Sequence, residues 1–93
     1  MSCSKIASYI GFAQRSGSVL YGEERIAENT KKCLLILVDR NAPEKYKNRL
    51  RNLAGDIPCF DTEDLAQTTH RDNVKAIGIV NPNLAEAIIN LLR

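Results

Sequence analysis

Several residue types and patterns on which binding sites and membrane segments depend are scarce in this chain of 93 residues. It has one histidine, His70, which excludes a cluster of histidine metal ligands and makes a Ser-His-Asp triad dependent on that residue. The three cysteines are an odd number, and their spacing does not match a metal site. No apolar run approaches the ~20 residues that span a bilayer, and the N-terminus lacks the apolar stretch of a signal peptide. We therefore expect a protein of the reducing cytoplasm that does not associate with membranes.

Patterns that indicate catalysis are also missing. The five glycines form neither a phosphate-binding loop nor a dinucleotide-binding fingerprint. Several carboxylates occupy positions predicted to lie in the first turns of helices, where capping and the helix dipole account for acidic residues. These carboxylates are Glu23, Glu24, Asp61, Glu63 and Asp64. The sequence therefore predicts no enzymatic activity, no cofactor and no metal ion.

The net charge of +2 is small, but the charges are unevenly distributed. Residues 31–51 contain seven basic and two acidic residues, a balance of +5, whereas residues 52–93 contain three basic and six acidic residues, a balance of −3. The basic cluster Lys45–Arg51 has two interpretations. It is either a solvated helix face or a patch that faces a polyanion.

Apolar periodicity predicts short strands that alternate with helices. An N-terminal helix has one apolar face and ends at Gly17, and the continuous apolar run Cys33–Val38 predicts a strand buried on both faces. Cys33 and Cys59 are expected to be buried as small hydrophobic residues. A helix is then expected to open at Pro43, followed by a strand over Ile57–Phe60 whose proline indicates a sheet edge or the start of a strand. The last three elements are a short helix capped by Asp61, a strand over Val74–Val80 and a helix capped by Asn81. This order predicts a single α/β domain over residues 1–93, a three-layer α/β/α sandwich with a mixed sheet of about four strands.

Several segments of the chain, taken in order, resemble one family. They are Gly11–Gly17, Gly22–Glu24, the apolar strand that runs into Asp39–Ala42, the stretch Asp64–Ala66, and Ala76–Pro82. In this order and spacing they resemble the small kink-turn RNA-binding ribosomal proteins of the L-seven-Ae / L-thirty-e / Gadd-forty-five superfamily, and most closely their bacterial ribosome-associated homologues. The resemblance covers nearly the whole chain and implies a non-enzymatic, cytoplasmic protein. Its implied partners are structured RNA of the ribosome and other ribosomal proteins.

The resemblance also implies an RNA surface built from three neighbouring places. The first is the N-terminal turn of the second helix, which in the family meets the edges of sheared base pairs. The second is the loop after the central strand, and the third is the connection before the last strand, which packs on a splayed-out base. The residues carried over are Gly22, Glu23, Glu24, Arg25, Arg40, Asn41, Thr69, His70 and Arg71. For His70, a plain loop residue is the simpler interpretation and a contact to an RNA edge is the alternative.

Two acidic residues depart from the family pattern and keep other functions open. The family's best RNA binders have asparagine, then glutamate, then a lysine one turn later, where this chain has Glu24, Arg25 and Glu28. Binding of structured RNA is the leading hypothesis. A protein–protein interaction module on the same fold is the second, favoured by Glu24 and Glu28. A small-molecule or phosphate-binding domain is the third, and it requires convergent polar groups that the sequence does not offer.

Overall fold

Helices and strands alternate along the whole described chain. The computed structural model describes residues 2–63 and 65–93, with side chains from Lys5 onward. The elements are α1 (Ser2–Arg15), β1 (Val19–Tyr21), α2 (Gly22–Glu28), β2 (Leu35–Asp39), α3 (Glu44–Ala54), β3 (Cys59–Thr62), α4 (Leu65–Thr69), β4 (Ala76–Ile79) and α5 (Pro82–Leu92). The predicted α/β class with a mixed four-stranded sheet is confirmed. None of the helices that the described residues form is long and apolar enough to cross a membrane.

The strand order and directions bring four chain connections to one end of the sheet. The order is β1-β4-β2-β3, with β4 antiparallel to both of its neighbours and β2 parallel to β3. The carboxyl ends of β1, β2 and β3 therefore lie beside the start of β4, as the pairs Tyr21–Ile77, Val38–Ala76 and Asp39–Thr62 show. We call this the loop end of the sheet. At this end, Gly22, Arg40 and Glu63 directly follow β1, β2 and β3, and Lys75 directly precedes β4.

The central strand β2 is buried on both faces, as its continuous apolar sequence predicts. Leu35 and Leu37 pack with residues of α1, α4 and α5, whereas Ile36 and Val38 pack with residues of α2 and α3. These alternating contacts define the three layers, because successive side chains of a strand point to opposite faces. The strand begins two residues later than predicted. Before it, the Cys33 amide closes a turn by donating to the Asn29 carbonyl.

Two predicted helix boundaries follow from local backbone chemistry. Gly17 has a φ of 71°, a left-handed conformation that ends α1, with its amide donating to the Gln14 carbonyl and the next amide donating to the Ala13 carbonyl. At the start of α5, the side-chain oxygen of Asn81 accepts a hydrogen bond from the Leu84 amide at 3.1 Å. Pro82 then occupies the first turn, where it costs no hydrogen bond. Both features match the sequence prediction.

The prediction that Asp61 caps the short helix is wrong. Asp61 lies in β3, which runs over Cys59–Thr62 instead of Ile57–Phe60, and Glu63 follows that strand outside any helix. The amide of Leu65, at the start of α4, instead donates to Oδ2 of Asp39 at 3.1 Å. Asp64 lies outside the described residues. The strand is at the sheet edge and begins just after Pro58, as the proline predicted.

Gly78, in the centre of β4, is a point of close approach between the sheet and the α2 layer. A Cβ atom added there would lie 2.7 Å from Cys33 Sγ and 3.3 Å from an Ile26 side-chain carbon. Cys33 is buried, as predicted, and Cys59 is partly buried. Burial raises the pKa of both thiols, so they remain protonated near neutral pH. Cys33 therefore acts here as a small packing residue.

This packing predicts the effect of adding a methyl group. Gly78→Ala should lower the free energy of unfolding by about 1 kcal/mol, at the low end of the cost of overpacking, because the thiol of Cys33 can move partly aside. Gly11→Ala is the matched control. It lies inside α1 with nothing within 4 Å of the added atom. It should raise stability by about 0.5–1 kcal/mol, since alanine favours a helix. Denaturant unfolding measures both, and equal effects would contradict the described contact.

Candidate nucleic-acid interface

The loop end of the sheet brings the three predicted places together. Gly22–Arg25 follows β1, Arg40–Asn41 follows β2, and residues 69–71 belong to the connection that leads into β4. Because β4 lies between β1 and β2 in the sheet, this connection lies between the other two segments at the sheet end. Segments distant in the sequence thus become neighbours in space. The contacts within each segment decide which side chains are available to a ligand.

The connection before β4 is anchored by Gln14 of α1. The Gln14 side-chain amide donates to the hydroxyl of Tyr21 at 3.1 Å and to the carbonyl of Thr69 at 2.8 Å. The Thr69 side chain is itself buried and donates to the Leu65 carbonyl at 2.7 Å, so Thr69 positions the chain and does not present its hydroxyl. His70 is exposed and has a φ of 58°. The anchored turn therefore projects His70 and Arg71 outward.

Arg71 is held over an aromatic ring. The central carbon of its guanidinium lies 3.9 Å from the centroid of the Tyr21 ring, a cation–π arrangement. Arg71 is exposed, and Tyr21 is the residue immediately before the N-terminal turn of α2. Sequence reasoning missed both Tyr21 and Gln14. Their only sequence signal is their position on either side of the glycine that ends α1.

The loop after β2 is organised by Asp39. One carboxylate oxygen accepts from the Asn41 amide at 2.8 Å, and the other accepts from the Leu65 amide of α4. One side chain therefore fixes both the Arg40–Asn41 loop and the beginning of α4. Arg40 forms an ion pair with Glu63 at 3.3 Å, with about 60% of each side chain exposed. Such exposed pairs stabilise a fold by roughly 0–1 kcal/mol, so Arg40 can exchange Glu63 for another anion at little cost.

The N-terminal turn of α2 faces α3 through an ion pair. Gly22 has a φ of 88°, and Arg49 donates to the two carboxylate oxygens of Glu23 at 3.0 and 3.3 Å. This hydrogen bond raises the pKa of Arg49. Glu24 and Arg25 are exposed on the same turn. Of the carried-over residues in this turn, Glu23 is therefore bound to α3, whereas Glu24 and Arg25 face solvent.

A second aromatic ring lies beside this ion pair. Arg49 and Lys75 lie 5.4 and 5.8 Å from the centroid of the Tyr46 ring. Partial burial, followed by the charge of Glu23, raises the pKa of Tyr46. The hydroxyl is therefore neutral at physiological pH. The loop end thus carries aromatic rings on both sides of the sheet, each accompanied by a basic side chain.

The basic cluster of α3 is largely exposed, but several of its members are paired with acidic residues. Lys47 is buried and pairs with Asp61 at 3.5 Å, Arg51 lies 3.8 Å from the same carboxylate, and Arg49 binds Glu23. Lys45, Arg49 and Arg51 are nevertheless exposed, as expected of a solvated helix face, whereas the buried Lys47 connects α3 to β3. Within residues 2–63 and 65–93, no group of histidine, cysteine and acidic residues is arranged to hold a metal ion.

Comparison with known proteins identifies the fold. No family model matches the chain, and no curated protein matches it. A solved structure of a protein of unknown function from Bacillus halodurans is similar, with a TM-score of 0.87 and 21% sequence identity. The match covers 95% of this chain and 96% of that protein. The arrangement of helices and strands described above is therefore a fold already known from experiment.

Proposed function

We propose that this protein binds structured, kink-turn-like RNA without catalysing a reaction, and that it does so as a ribosome-associated protein of the cytoplasm. The observation that carries the proposal is the meeting of three chain segments at the loop end, beside the stacked pair of Arg71 and Tyr21. The family resemblance of the sequence gives these same segments an RNA-binding role. Geometry and resemblance thus favour the same surface.

The chemistry of the surface suits RNA that is kinked and partly unstacked. Proteins read such RNA through exposed bases, which stack on aromatic rings or on the plane of an arginine. Arg71 offers a guanidinium plane whose other side is already supported by Tyr21. Arg40 offers a positive charge whose present partner, Glu63, is weakly held. Both cations are exposed and lie at the same end of the sheet.

Binding to another protein is the second candidate function, and exposed acidic residues favour it. Glu24 and Glu28 are both exposed on α2, one turn apart. Negative charge on this helix opposes a phosphate backbone, whereas it complements a basic protein surface. Ribosomal proteins are a class of partner with that chemistry. The two functions differ in what the negative charge of α2 does to RNA affinity.

The proposal predicts that removing a single cation at the loop end weakens RNA binding. Arg40→Ala and Arg71→Ala should each cost about 1 kcal/mol of affinity for a kink-turn RNA at low salt, because each loses a contact to the polyanion. Lys32→Ala is the control, since Lys32 is exposed in the turn before β2, at the opposite end of the sheet. Fluorescence anisotropy titrations against a kinked RNA and an unkinked duplex provide the measurement.

Salt dependence provides an independent test. With few phosphate contacts, the wild-type protein should show a log–log slope of about 2–4, and each loop-end variant should lower it by up to about 1. If Lys32→Ala weakens binding as much as the loop-end variants do, the interface is in the wrong place. If the wild-type protein binds neither RNA, the proposed function is wrong.

A further inference from the structure

A groove separates α1 from α4 and opens beside the stacked pair of Arg71 and Tyr21. It lies on the layer of α1, α4 and α5, so it continues the loop end along one face of the molecule. Of the described residues that line it, none is acidic, whereas Arg15 and Arg71 are basic. The lining is therefore complementary in charge to a polyanion, in contrast to α2 with its exposed glutamates.

The groove contains two arginine–aromatic pairs. At the loop end, Arg71 covers Tyr21, and further along α1 the guanidinium of Arg15 lies 4.9 Å from the centroid of the Phe12 ring. Half of the Phe12 surface is exposed, although phenylalanine is ordinarily buried. Phe12 and Arg15 also lie on the same side of α1, since they are three residues apart in a helix.

The side chain of Gln14, which lies between the two pairs, already forms hydrogen bonds within the protein. The side-chain amide of Gln14 donates to Tyr21 and to the Thr69 carbonyl, which fixes α1 to the end of α4. The groove is thus held in shape by hydrogen bonds within the protein. Among the other groups that line it are an aromatic surface and positive charge. These are the two features that bind single-stranded nucleic acid with little sequence preference.

We propose that this groove binds a single-stranded RNA segment that leaves the structured RNA at the loop end and runs along α1. The proposal rests on the proposed function and specifies the kind of RNA further. An unpaired base stacks on Phe12, and the guanidinium group of Arg15 contacts a neighbouring phosphate, while Arg71 lies where the segment leaves the structured RNA. The natural ligand is then a kinked element with an unpaired extension, not an isolated kinked duplex.

The distribution of exposed apolar surface favours RNA over a protein partner. The large hydrophobic residues exposed among the described side chains are Phe12 and Leu34, and Leu34 lies beside the start of β2, away from the loop end. Phe12 is therefore an isolated ring between basic groups. Protein interfaces have an apolar centre made of several buried side chains, which this groove does not supply.

Four RNAs and five proteins test the proposal. The RNAs are a kink-turn duplex with blunt ends, two versions of it with a short unpaired extension at one end or at the other, and the unpaired strand alone. The proteins are the wild type, Phe12→Ala, Phe12→Tyr, Leu34→Ala and Arg15→Ala. An extension should strengthen wild-type binding, and Phe12→Ala should weaken binding of the extended RNA about five- to tenfold, which is the lower end of the contribution of one stacked base. The blunt duplex should be unaffected by that substitution.

The remaining variants separate stacking from loss of structure. Phe12→Tyr keeps the ring and should retain the gain from the extension, whereas Leu34→Ala, which removes the other exposed hydrophobic side chain, should have no effect. Arg15→Ala should lower the log–log salt slope for the extended RNA by about 0.7, the value for one phosphate contact on a single strand. Circular dichroism of each variant checks that the fold is retained.

Each outcome bears on one of the two proposals. If the wild type binds blunt and extended kinked RNA equally, the groove does not hold RNA, while the proposed function stands. If only the unpaired strand binds, the groove proposal is supported and the kinked partner is wrong. If no RNA binds, both are overturned. Strong binding of an acidic protein that Phe12→Ala abolishes, without any RNA binding, would identify the groove as a protein interface.

Discussion

Replacing Ile36 with alanine should lower the free energy of unfolding by about 2–5 kcal/mol, the cost of removing a large aliphatic side chain from a core. Ile36 is fully buried in β2 and packs with residues of α2 and α3. Strands on both sides and helices on both faces leave little room for the cavity to collapse. Chemical denaturation, followed by circular dichroism, measures the change.

The matched control is two residues away in the sequence. Leu34 has the same number of carbon atoms as Ile36 but is 39% exposed, so Leu34→Ala should cost less than about 1 kcal/mol. A loss below about 1 kcal/mol for Ile36→Ala would contradict a central strand covered on both faces. The comparison isolates burial, because both substitutions remove the same number of side-chain carbon atoms from the same part of the chain.

The second large effect should be a gain of function. Glu28→Lys replaces a negative charge with a positive one on α2, at the position where the RNA binders that the sequence resembles carry a lysine. If α2 faces the phosphate backbone, the change should strengthen binding of a kink-turn RNA by on the order of 1–2 kcal/mol at low salt. The gain should shrink as salt screens the charges, since the Debye length falls to about 8 Å at physiological ionic strength. Titrations at several salt concentrations measure both effects.

A substitution with the same change in net charge provides the control. Glu86 is exposed on α5, in the opposite layer, so Glu86→Lys should alter RNA affinity far less than Glu28→Lys. If α2 has instead become a protein-binding face, Glu28→Lys should leave RNA affinity negligible and weaken a basic protein partner. An equal gain from both substitutions would show only general attraction to RNA. No gain on the kinked RNA, with the fold intact, would exclude an RNA-facing α2.

Features set by nearby residues were predictable from the sequence. The central strand followed from an uninterrupted apolar run, and the boundaries at Gly17 and Asn81 followed from conformations that these residue types favour. In each case the decisive partners lie within five positions in the chain. Strand boundaries were less accurate, because the apolar run begins at Cys33, whose amide closes a turn before β2 starts at Leu35.

Features that depend on distant contacts were not predictable. Asp61 was the expected cap for α4, and only the pairing of β2 with β3 places Asp39 beside Leu65. The same applies to Gln14, whose hydrogen-bond partner Thr69 is 55 positions away in the sequence. It also applies to Lys47 of α3, which forms an ion pair with Asp61 of β3. A single sequence gives the charge of such residues but not the element that they face.

The position of β4 in the sheet has a consequence for how the chain folds. This strand comes after the other three in the sequence, yet it hydrogen-bonds to both β1 and β2. Until it has been synthesised, β1 has no neighbouring strand and one edge of β2 is open, so only the β2–β3 pair can form. Such long-range pairing slows folding, and an open apolar strand is prone to aggregate. A nascent or truncated chain that stops before Ala76 would therefore expose an edge of the apolar strand β2 and be a target for chaperones and proteases.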